Sequence, residues 1–336
     1  VIGGQIDPTI TAATASADGG PHQASWVRPF SSTEVALRVE AGRIEAGALE
    51  PYDLDNPQAG DDIGSERGLP VVRRNGETYG LGVSARRDVI RRPDRLVGRP
   101  LDVDDVVGGD WAITSADDPA FGAGVAPVSV RHLARPSDGG FDGGVNRLWA
   151  LVHDLVIVLP QPLTPGASYE ITGPGLAPAT LRYDPTTTTS PAVRVNQAGF
   201  APGDQAKVAH LSGWYDGIGT TATATTEPGF QVVDAATGEA VFTGTGRLRP
   251  QGNELGQGDL TGAPVVELDF TSVDRPGTYR VCVDAIGCSH PFEVDAEVWN
   301  DLAATVARAV YHQRSGVQLG PPYTSFVRPR PYHPDD

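Results

Sequence analysis

The sequence predicts a mainly β protein made of two tandem β-sandwich domains followed by one amphipathic helix. Short runs rich in Val, Thr and Tyr recur along the chain, and the 41 glycines and 29 prolines fall between them. This distribution is typical of many short strands joined by tight turns. Apolar residues at helical spacing are almost confined to one segment near the C-terminus.

The first predicted domain covers residues 1–188. It contains the strand-like runs 34–39 and 148–159, separated by loops rich in Gly, Asp and Pro. A polar tract between two prolines, 184–191, follows it, and such a tract cannot bury apolar surface. We therefore expect a domain boundary there, with a long loop inside one domain as the alternative.

The second predicted domain covers residues 191–295 and contains short strand-like runs at close intervals. About a hundred residues with seven such strands predict an immunoglobulin-like sandwich. The predicted strands are 193–195, 207–211, 229–233, 240–242, 265–270, 278–283 and 290–294.

The helix is predicted to begin at Asp295, which is a favourable N-cap residue, and to end before Gly316. Its apolar residues form one stripe, which needs a partner surface. They are Val298, Leu302, Val306, Ala309 and Val310. The segment 317–336 has five prolines and no periodicity, so we expect a part of the protein outside this sequence to hold it.

Composition and charge restrict the partners. The chain is 39% hydrophobic and 20% charged, as in ordinary globular proteins, and its net charge is −16. An acidic surface repels phosphate groups, so we expect neither nucleic acid nor an anionic membrane as a partner. The apolar run 148–159 is interrupted by His153 and Asp154 and is shorter than the roughly 20 residues that span a bilayer.

The two cysteines, Cys282 and Cys288, lie on two predicted strands joined by a turn at 284–287, where they can face each other. A disulfide at this position would suit an oxidising, extracytoplasmic compartment. Two unpaired buried thiols are the alternative. A metal site is disfavoured because two cysteines leave half of a tetrahedral shell empty.

The five tryptophans, at positions 26, 111, 149, 214 and 299, either stack on sugar rings or belong to cores. The first domain is accordingly either a carbohydrate-binding module or a structural spacer, and the sequence leaves both open. The acidic runs 101–110 and 117–118 supply oxygen atoms of the kind that calcium prefers, with a solvated loop as the alternative.

Several segments, in this order and spacing, resemble the N-terminal immunoglobulin-like domain of family nine glycoside hydrolases. They are Val193-Arg-Val-Asn-Gln-Ala-Gly-Phe-Ala-Pro202, Phe230-Gln-Val-Val-Asp-Ala-Ala-Thr-Gly238, Leu268-Asp-Phe270 and Gly277-Thr-Tyr279. Downstream, Ala309-Val-Tyr-His-Gln-Arg-Ser-Gly316 and Tyr332-His-Pro-Asp-Asp336 are similar to the start of that family's (α/α)6 barrel. The resemblance implies that residues 296–336 are the truncated start of a catalytic domain.

The resemblance also implies an inverting mechanism, in which paired aspartates activate a water and a distant glutamate protonates the leaving oxygen. We expect these carboxylates on a continuation beyond Asp336, and no catalytic residue in this chain. The segment Ser212-Gly-Trp-Tyr-Asp-Gly217 imitates the aspartate motif but lacks the second aspartate. We interpret Asp216 as a loop or strand-end residue.

A zinc site found in some members of the family is predicted to be lost, because Ser315 and Tyr332 stand where those members have cysteines. His333, Asp335 and Asp336 remain candidates for a calcium site or a sugar subsite, with a solvated tail as the alternative.

The function implied by the resemblance is that of the non-catalytic part of a secreted endoglucanase. Its partners would be a β-1,4-glucan or related polysaccharide and the catalytic domain. A free-standing carbohydrate-binding or adhesion protein is the alternative, and the unpartnered helix and tail argue against it.

Overall fold

The computed structural model describes residues 20–66, 68–83, 86–143, 147–215, 219–220, 227–249, 264–328 and 330. The chain forms two compact units. The N-terminal unit is drawn from Gln5–Asp184 and Trp214–Thr221, and the C-terminal unit from Pro185–Gly213 and Ala222–Asp336. Both are built from antiparallel sheets, so the predicted mainly β fold is confirmed.

The strands of the N-terminal unit are short except for one long hairpin. They are β1 (Ala24–Ser31), β2 (Glu34–Ala41), β3 (Arg43–Glu45), β4 (Leu49–Pro51), β5 (Asp61–Glu66), β6 (Leu69–Arg74), β7 (Glu77–Val83), β8 (Arg86–Arg91), β9 (Arg95–Val97), β10 (Ala112–Thr114), β11 (Ser129–Phe141), β12 (Arg147–Val158), β13 (Ser168–Thr172) and β14 (Ala179–Arg182). Between β9 and β13 lie the helix α1 (Val103–Gly108) and a 3₁₀ turn (Pro119–Phe121).

A sandwich core lies between two sheets of the N-terminal unit. One sheet has the strand order β1-β2-β12-β11 and the other the order β10-β13-β14. Alternate residues of β2 and β12, such as Leu37 and Leu155, pack with Ile113, Tyr169 and other buried residues of the second sheet. This is the period of two expected for strands with one buried face.

A further sheet, with the order β4-β8-β7-β6-β5, was not predicted from the sequence. Along the chain, its five strands come after β3 and before β9, and β3 and β9 pair with each other antiparallel. Tyr52, Leu54, Val72 and Ile90 give it a small core of its own. Its strands were missed because their sequences carry many charged residues and only short apolar runs.

The acidic run 101–110 contains a helix, where the sequence suggested a loop. Asp102 caps α1, because its side chain accepts a hydrogen bond of 3.1 Å from the backbone N–H of Asp105. Acidic residues in the first turn also interact favourably with the helix dipole. Val106 is buried and holds the helix on the sandwich core.

The remaining strands are mostly close to their predicted positions. They are β15 (Val193–Arg194), β16 (Val208–Leu211), β17 (Trp214–Tyr215), β18 (Gly219–Thr220), β19 (Gly229–Asp234), β20 (Ala240–Thr245), β21 (Arg247–Leu248), β22 (Val266–Asp269), β23 (Gly277–Val283), β24 (Gly287–Cys288) and β25 (Phe292–Val294). β17 and β18 pair with each other as a short hairpin.

The C-terminal unit has two sheets, in agreement with the predicted immunoglobulin-like sandwich. One has the order β15-β16-β22-β21, and the other has the order β20-β19-β23-β24 with β25 also paired to β23. The aromatic ring of Phe270, which follows β22, lies 5.4 Å from that of Phe200 and 5.3 Å from that of Phe292 in β25. These contacts join the two sheets.

Helix α2 (Val298–Gln313) follows β25. It begins three residues later than predicted, because Asp295 closes the preceding turn and does not cap the helix. Its Oδ1 atom accepts a hydrogen bond of 2.7 Å from the N–H of Glu297. No helix among the described residues has the length and hydropathy needed to cross a membrane.

Candidate functional site

Helix α2 carries its apolar stripe on a face that is only partly covered. Val298 in the first turn is buried and Leu302 is half-buried, whereas Val306 and Val310 are 54% and 61% exposed. Full burial of a valine side chain contributes about 1.5–3 kcal/mol, and these two half-exposed residues gain only part of it. The helix is therefore anchored at its start and presents apolar side chains further along.

The start of α2 is fixed by the backbone around Phe200. The N–H of Phe200 donates to the carbonyl of Glu293, and the N–H of Asp295 donates to the carbonyl of Phe200, at 2.9 and 3.0 Å. Gly199, with φ of 89°, lies against the helix, and a Cβ atom there would be 2.7 Å from Cγ2 of Val298. Only glycine allows both this conformation and this approach.

The segment after α2 folds back on the last turn of the helix. The rings of Tyr311 and Tyr323 lie 5.9 Å apart, and those of His312 and Phe326 lie 5.4 Å apart. Nε2 of His312 is 2.8 Å from Oγ1 of Thr324, which is buried. The helix thus gives this proline-rich segment local support that the sequence did not suggest.

Helix and extension together expose a group of large apolar side chains, which we name the C-terminal apolar surface. Their exposed fractions lie between 54% and 77%. They are Val306, Val310, Tyr323, Phe326 and Val327. Large exposed apolar patches mark interaction surfaces in soluble proteins, whereas single exposed apolar residues are ordinary.

The single lysine of the chain, Lys207, is completely buried. Its ammonium group donates to the carbonyl of Thr271 at 2.9 Å, to the carbonyl of Asp204 at 3.2 Å and to Oδ1 of Asp274 at 2.6 Å. Each of the three ammonium protons therefore has an acceptor. Lysine is rarely fully buried in proteins. The burial of Lys207 was therefore not predicted from the sequence.

The predicted disulfide joins Cys282 and Cys288, which are directly paired across β23 and β24. The segment 188–190, predicted to be an extended connection, runs beside this hairpin. The N–H of Cys288 donates to the carbonyl of Thr188, and the N–H of Ser190 donates to the carbonyl of Cys288, both at 2.8 Å. The cystine hairpin therefore holds this part of the connection in place.

The structure describes only some of the other predicted site residues. His333, Asp335, Asp336 and Asp216 lie outside the described residues. Within the described part of the chain, no three His, Cys, Asp or Glu side chains are grouped so that they could hold a metal ion. Asp118 instead accepts hydrogen bonds from Ala120 and from the hydroxyl of Tyr169.

The tryptophans differ in their environments. Trp111 is buried, and its indole N–H donates to a backbone carbonyl at 2.8 Å. Two arginine side chains stack on Trp26. Trp149 and Trp299 are exposed, and the side chain of Trp214 is outside what the structure describes.

The N-terminal unit contains a histidine pair that no local sequence pattern predicts. Nε2 of His132 lies 2.8 Å from Nδ1 of His153, and the two rings stack. Burial, followed by the nearby His132 and His22, lowers the pKa of His153 to about 4. His153 is therefore neutral at pH 7, and we assign the pair a structural role.

A family model described as the cellulase N-terminal ig-like domain matches residues 188–287. The resemblance to the immunoglobulin-like domain, inferred from the sequence, is thus confirmed over residues 188–287. No curated protein matches the chain.

Solved structures similar to part of the chain include several family nine enzymes. A metagenome-derived glycoside hydrolase family 9 endoglucanase is 29% identical over 42% of this chain and 24% of its own, with a TM-score of 0.33. The family 9 endoglucanase J30 is 26% identical over 39% of this chain and 21% of its own, with a TM-score of 0.30. A family 9 protein of Bacteroides ovatus is 25% identical over 38% and 20%, with a TM-score of 0.29. The chain thus spans about a quarter or less of the length of these proteins.

Proposed function

We propose that this chain is the non-catalytic N-terminal part of a secreted, inverting glycoside hydrolase that cleaves β-1,4-glucan chains internally. The observation that carries the proposal is the family-model match over residues 188–287, which relates the C-terminal unit to a domain of cellulases. A cellulase domain implies a polysaccharide substrate and a catalytic domain in the same polypeptide.

The C-terminal apolar surface is the proposed contact with that catalytic domain. Helix α2 starts four positions after the last residue of β25, Val294, and its first turn is tied to the sandwich through Val298 and Gly199. Its half-exposed valines and the exposed aromatic residues of the extension are the apolar side chains that we expect to be buried in this contact. The sandwich would then hold the catalytic domain through one rigid helix.

The chemistry would belong to the continuation. Inverting hydrolysis needs one carboxylate to activate a water and a second carboxyl group, on the other side of the sugar, to protonate the leaving oxygen. We assign neither role to a residue of this chain. The C-terminal unit would act by positioning alone.

Secretion follows in this proposal from two features. A polymeric glucan cannot enter the cell, so its hydrolase must act outside. The bond between Cys282 and Cys288 suits an oxidising compartment.

The test is to produce the longer protein and a variant with Val306→Asp and Val310→Asp together. We expect these charges to disrupt the contact, so that the catalytic domain unfolds at a lower temperature and releases fewer reducing ends from carboxymethylcellulose. Ala304→Asp is the matched control, because Ala304 is also exposed on α2 but lies about 200° around the helix from Val306.

Two results would count against the proposal. One is a continuation without a paired-aspartate motif, which would favour a free-standing binding or adhesion protein. The other is an equal effect of the double variant and of the Ala304 control.

A further inference from the structure

The hairpin of β11 and β12 extends past the sheet that it helps to form. β2 pairs with β12 from Leu151 to Val158, so residues 147–150 lie beyond the last residue of β12 that pairs with β2. In the described sheets, this end of β12 pairs with β11 alone. Trp149 lies there with 46% of its surface exposed. The sandwich core therefore does not account for a large aromatic side chain at this position.

The ring of Trp149 lies across the backbone of the neighbouring strand. Gly139 is directly opposite Trp149, and a Cβ atom on Gly139 would be 2.8 Å from Cζ3 and 3.1 Å from Cε3 of the indole. The absence of a side chain at position 139 thus lets the ring rest on the strand. Glycine weakens a strand interior, so its presence here marks a close approach. An aromatic ring held in this way presents its second face outward.

Neighbouring pairs extend this surface along the hairpin. Directly paired residues share a face of the sheet, and alternate residues of one strand do so too. Phe141 is paired with Arg147, and Pro136 is paired with Leu151, on either side of the Trp149 pair. Phe141 and Arg147 are both exposed. The result is a narrow apolar strip with a guanidinium group at one end.

The chemistry of this strip favours a sugar chain over other ligands that stack on tryptophan. The net charge of −16 disfavours nucleic acid, whose bases could otherwise stack on the indole. A pyranose ring has an apolar face of C–H groups, which matches the indole face, and peripheral hydroxyls, which match the N–H donors of Arg147.

We infer that Trp149, Phe141 and Arg147 form a binding platform for a β-glucan chain, with a pyranose ring stacked on the indole of Trp149. The choice of a glucan rests on the proposed function; the platform itself does not. It lies in the N-terminal unit, which the family model does not match, and it gives this unit a role in holding substrate.

Binding of the 336-residue chain to cellulose tests the inference. Retention would be measured by depletion from phosphoric-acid-swollen cellulose and by affinity electrophoresis in gels that contain hydroxyethylcellulose, barley β-glucan or xylan. We expect Trp149→Ala to weaken binding at least about tenfold, because it removes the stacking surface. Trp149→Phe should keep part of the affinity. Gly139→Ala should weaken binding with the tryptophan retained, because the added Cβ displaces the ring.

Trp299→Ala is the matched control, since Trp299 is 43% exposed in the other unit. It should leave binding unchanged. Thermal unfolding of each variant separates loss of fold from loss of binding, and Gly139→Ala and Trp149→Phe preserve a test if Trp149→Ala fails to fold. Equal retention of wild type and Trp149→Ala would overturn the inference. Failure of the wild-type chain to bind any of the four polysaccharides would overturn it too. Neither result bears on the proposed docking of the catalytic domain, which is tested separately with the α2 variants of the longer protein.

Discussion

The ammonium nitrogen of Lys207 lies 2.6 Å from Oδ1 of Asp274, yet Lys207 is completely buried while 58% of the Asp274 side chain is exposed. The carboxylate therefore keeps much of its hydration, and the burial cost falls on the lysine. That cost is offset because all three ammonium protons are bonded. Lys207 thus ties the start of β16 to the turn that follows β22.

Replacing this lysine is predicted to destabilise the C-terminal unit. Lys207→Met removes three hydrogen bonds and leaves two backbone carbonyls without that donor, which should cost about 2 kcal/mol in the free energy of unfolding. Asp274→Asn should have a smaller effect, because the amide oxygen of asparagine can still accept a hydrogen bond from the ammonium group. Urea unfolding measures both. Arg308→Met, at an exposed site on α2, is the control, and an equal loss in it and in Lys207→Met would contradict the prediction.

The burial of Lys207 also predicts unusual amine chemistry. Because it is the only lysine and its Nζ atom is fully bonded, amine reagents such as NHS esters should leave its side chain unmodified in the folded protein. Peptide mass spectrometry should detect modified Lys207 only after urea is added. Modification at equal rates in native and denatured protein would mean that this part of the C-terminal unit opens readily.

Local patterns predicted the strands and the disulfide of the C-terminal unit well. Cys282 and Cys288 are six residues apart on one hairpin, so their pairing follows from a turn and a period of two. The histidine pair could not be predicted in the same way. His132 and His153 are 21 residues apart, and only the register of the long hairpin places them together.

Two local predictions failed for reasons that are also physical. Asp295 is a good cap by residue type, but its carboxylate is used in the turn before α2. The run 101–110 contains four aspartates and two glycines, and the short helix within it depends on the burial of Val106, a tertiary contact. The Trp149 platform depends likewise on Gly139 being its cross-strand neighbour, which a sequence pattern does not reveal.

Removing the disulfide is predicted to cost about 2 kcal/mol, the chain-entropy value for a short loop. The double variant Cys282→Ala and Cys288→Ala should therefore unfold at lower urea concentration than wild type. In the unreduced wild-type protein, peptide mapping should find no thiol that iodoacetamide alkylates. Two alkylated cysteines in the native protein would refute the pairing.

The low pKa of His153 predicts a pH dependence of stability. Unfolding returns His153 to its ordinary pKa of 6.5, whereas burial holds it at about 4 in the folded protein. Between these values the unfolded state binds more protons, so stability is fully present above pH 6.5 and falls as the pH drops towards 4. The urea midpoint of His153→Gln should change less over this window. Parallel curves for the two proteins would contradict the assignment, and NMR titration of the imidazole would measure its pKa directly.

The exposed stripe of α2 predicts where protection against hydrogen exchange changes when the catalytic domain is present. The first turn is already fixed by Val298 and by the hydrogen bonds around Phe200. The N–H groups of Asn300 and Asp301 both donate to the carbonyl of Glu297, so these two amides should exchange slowly in the 336-residue chain. The side chains of Val306 and Val310 lack such cover, and most of the stability of a helix in a protein comes from the packing of its apolar face. Their amides should exchange quickly in this chain and slowly in the longer protein, while those of β23 stay the same in both. Equal and strong protection of residues 306–313 in the two proteins would mean that the helix needs no partner, and the proposed docking surface would then lose its basis.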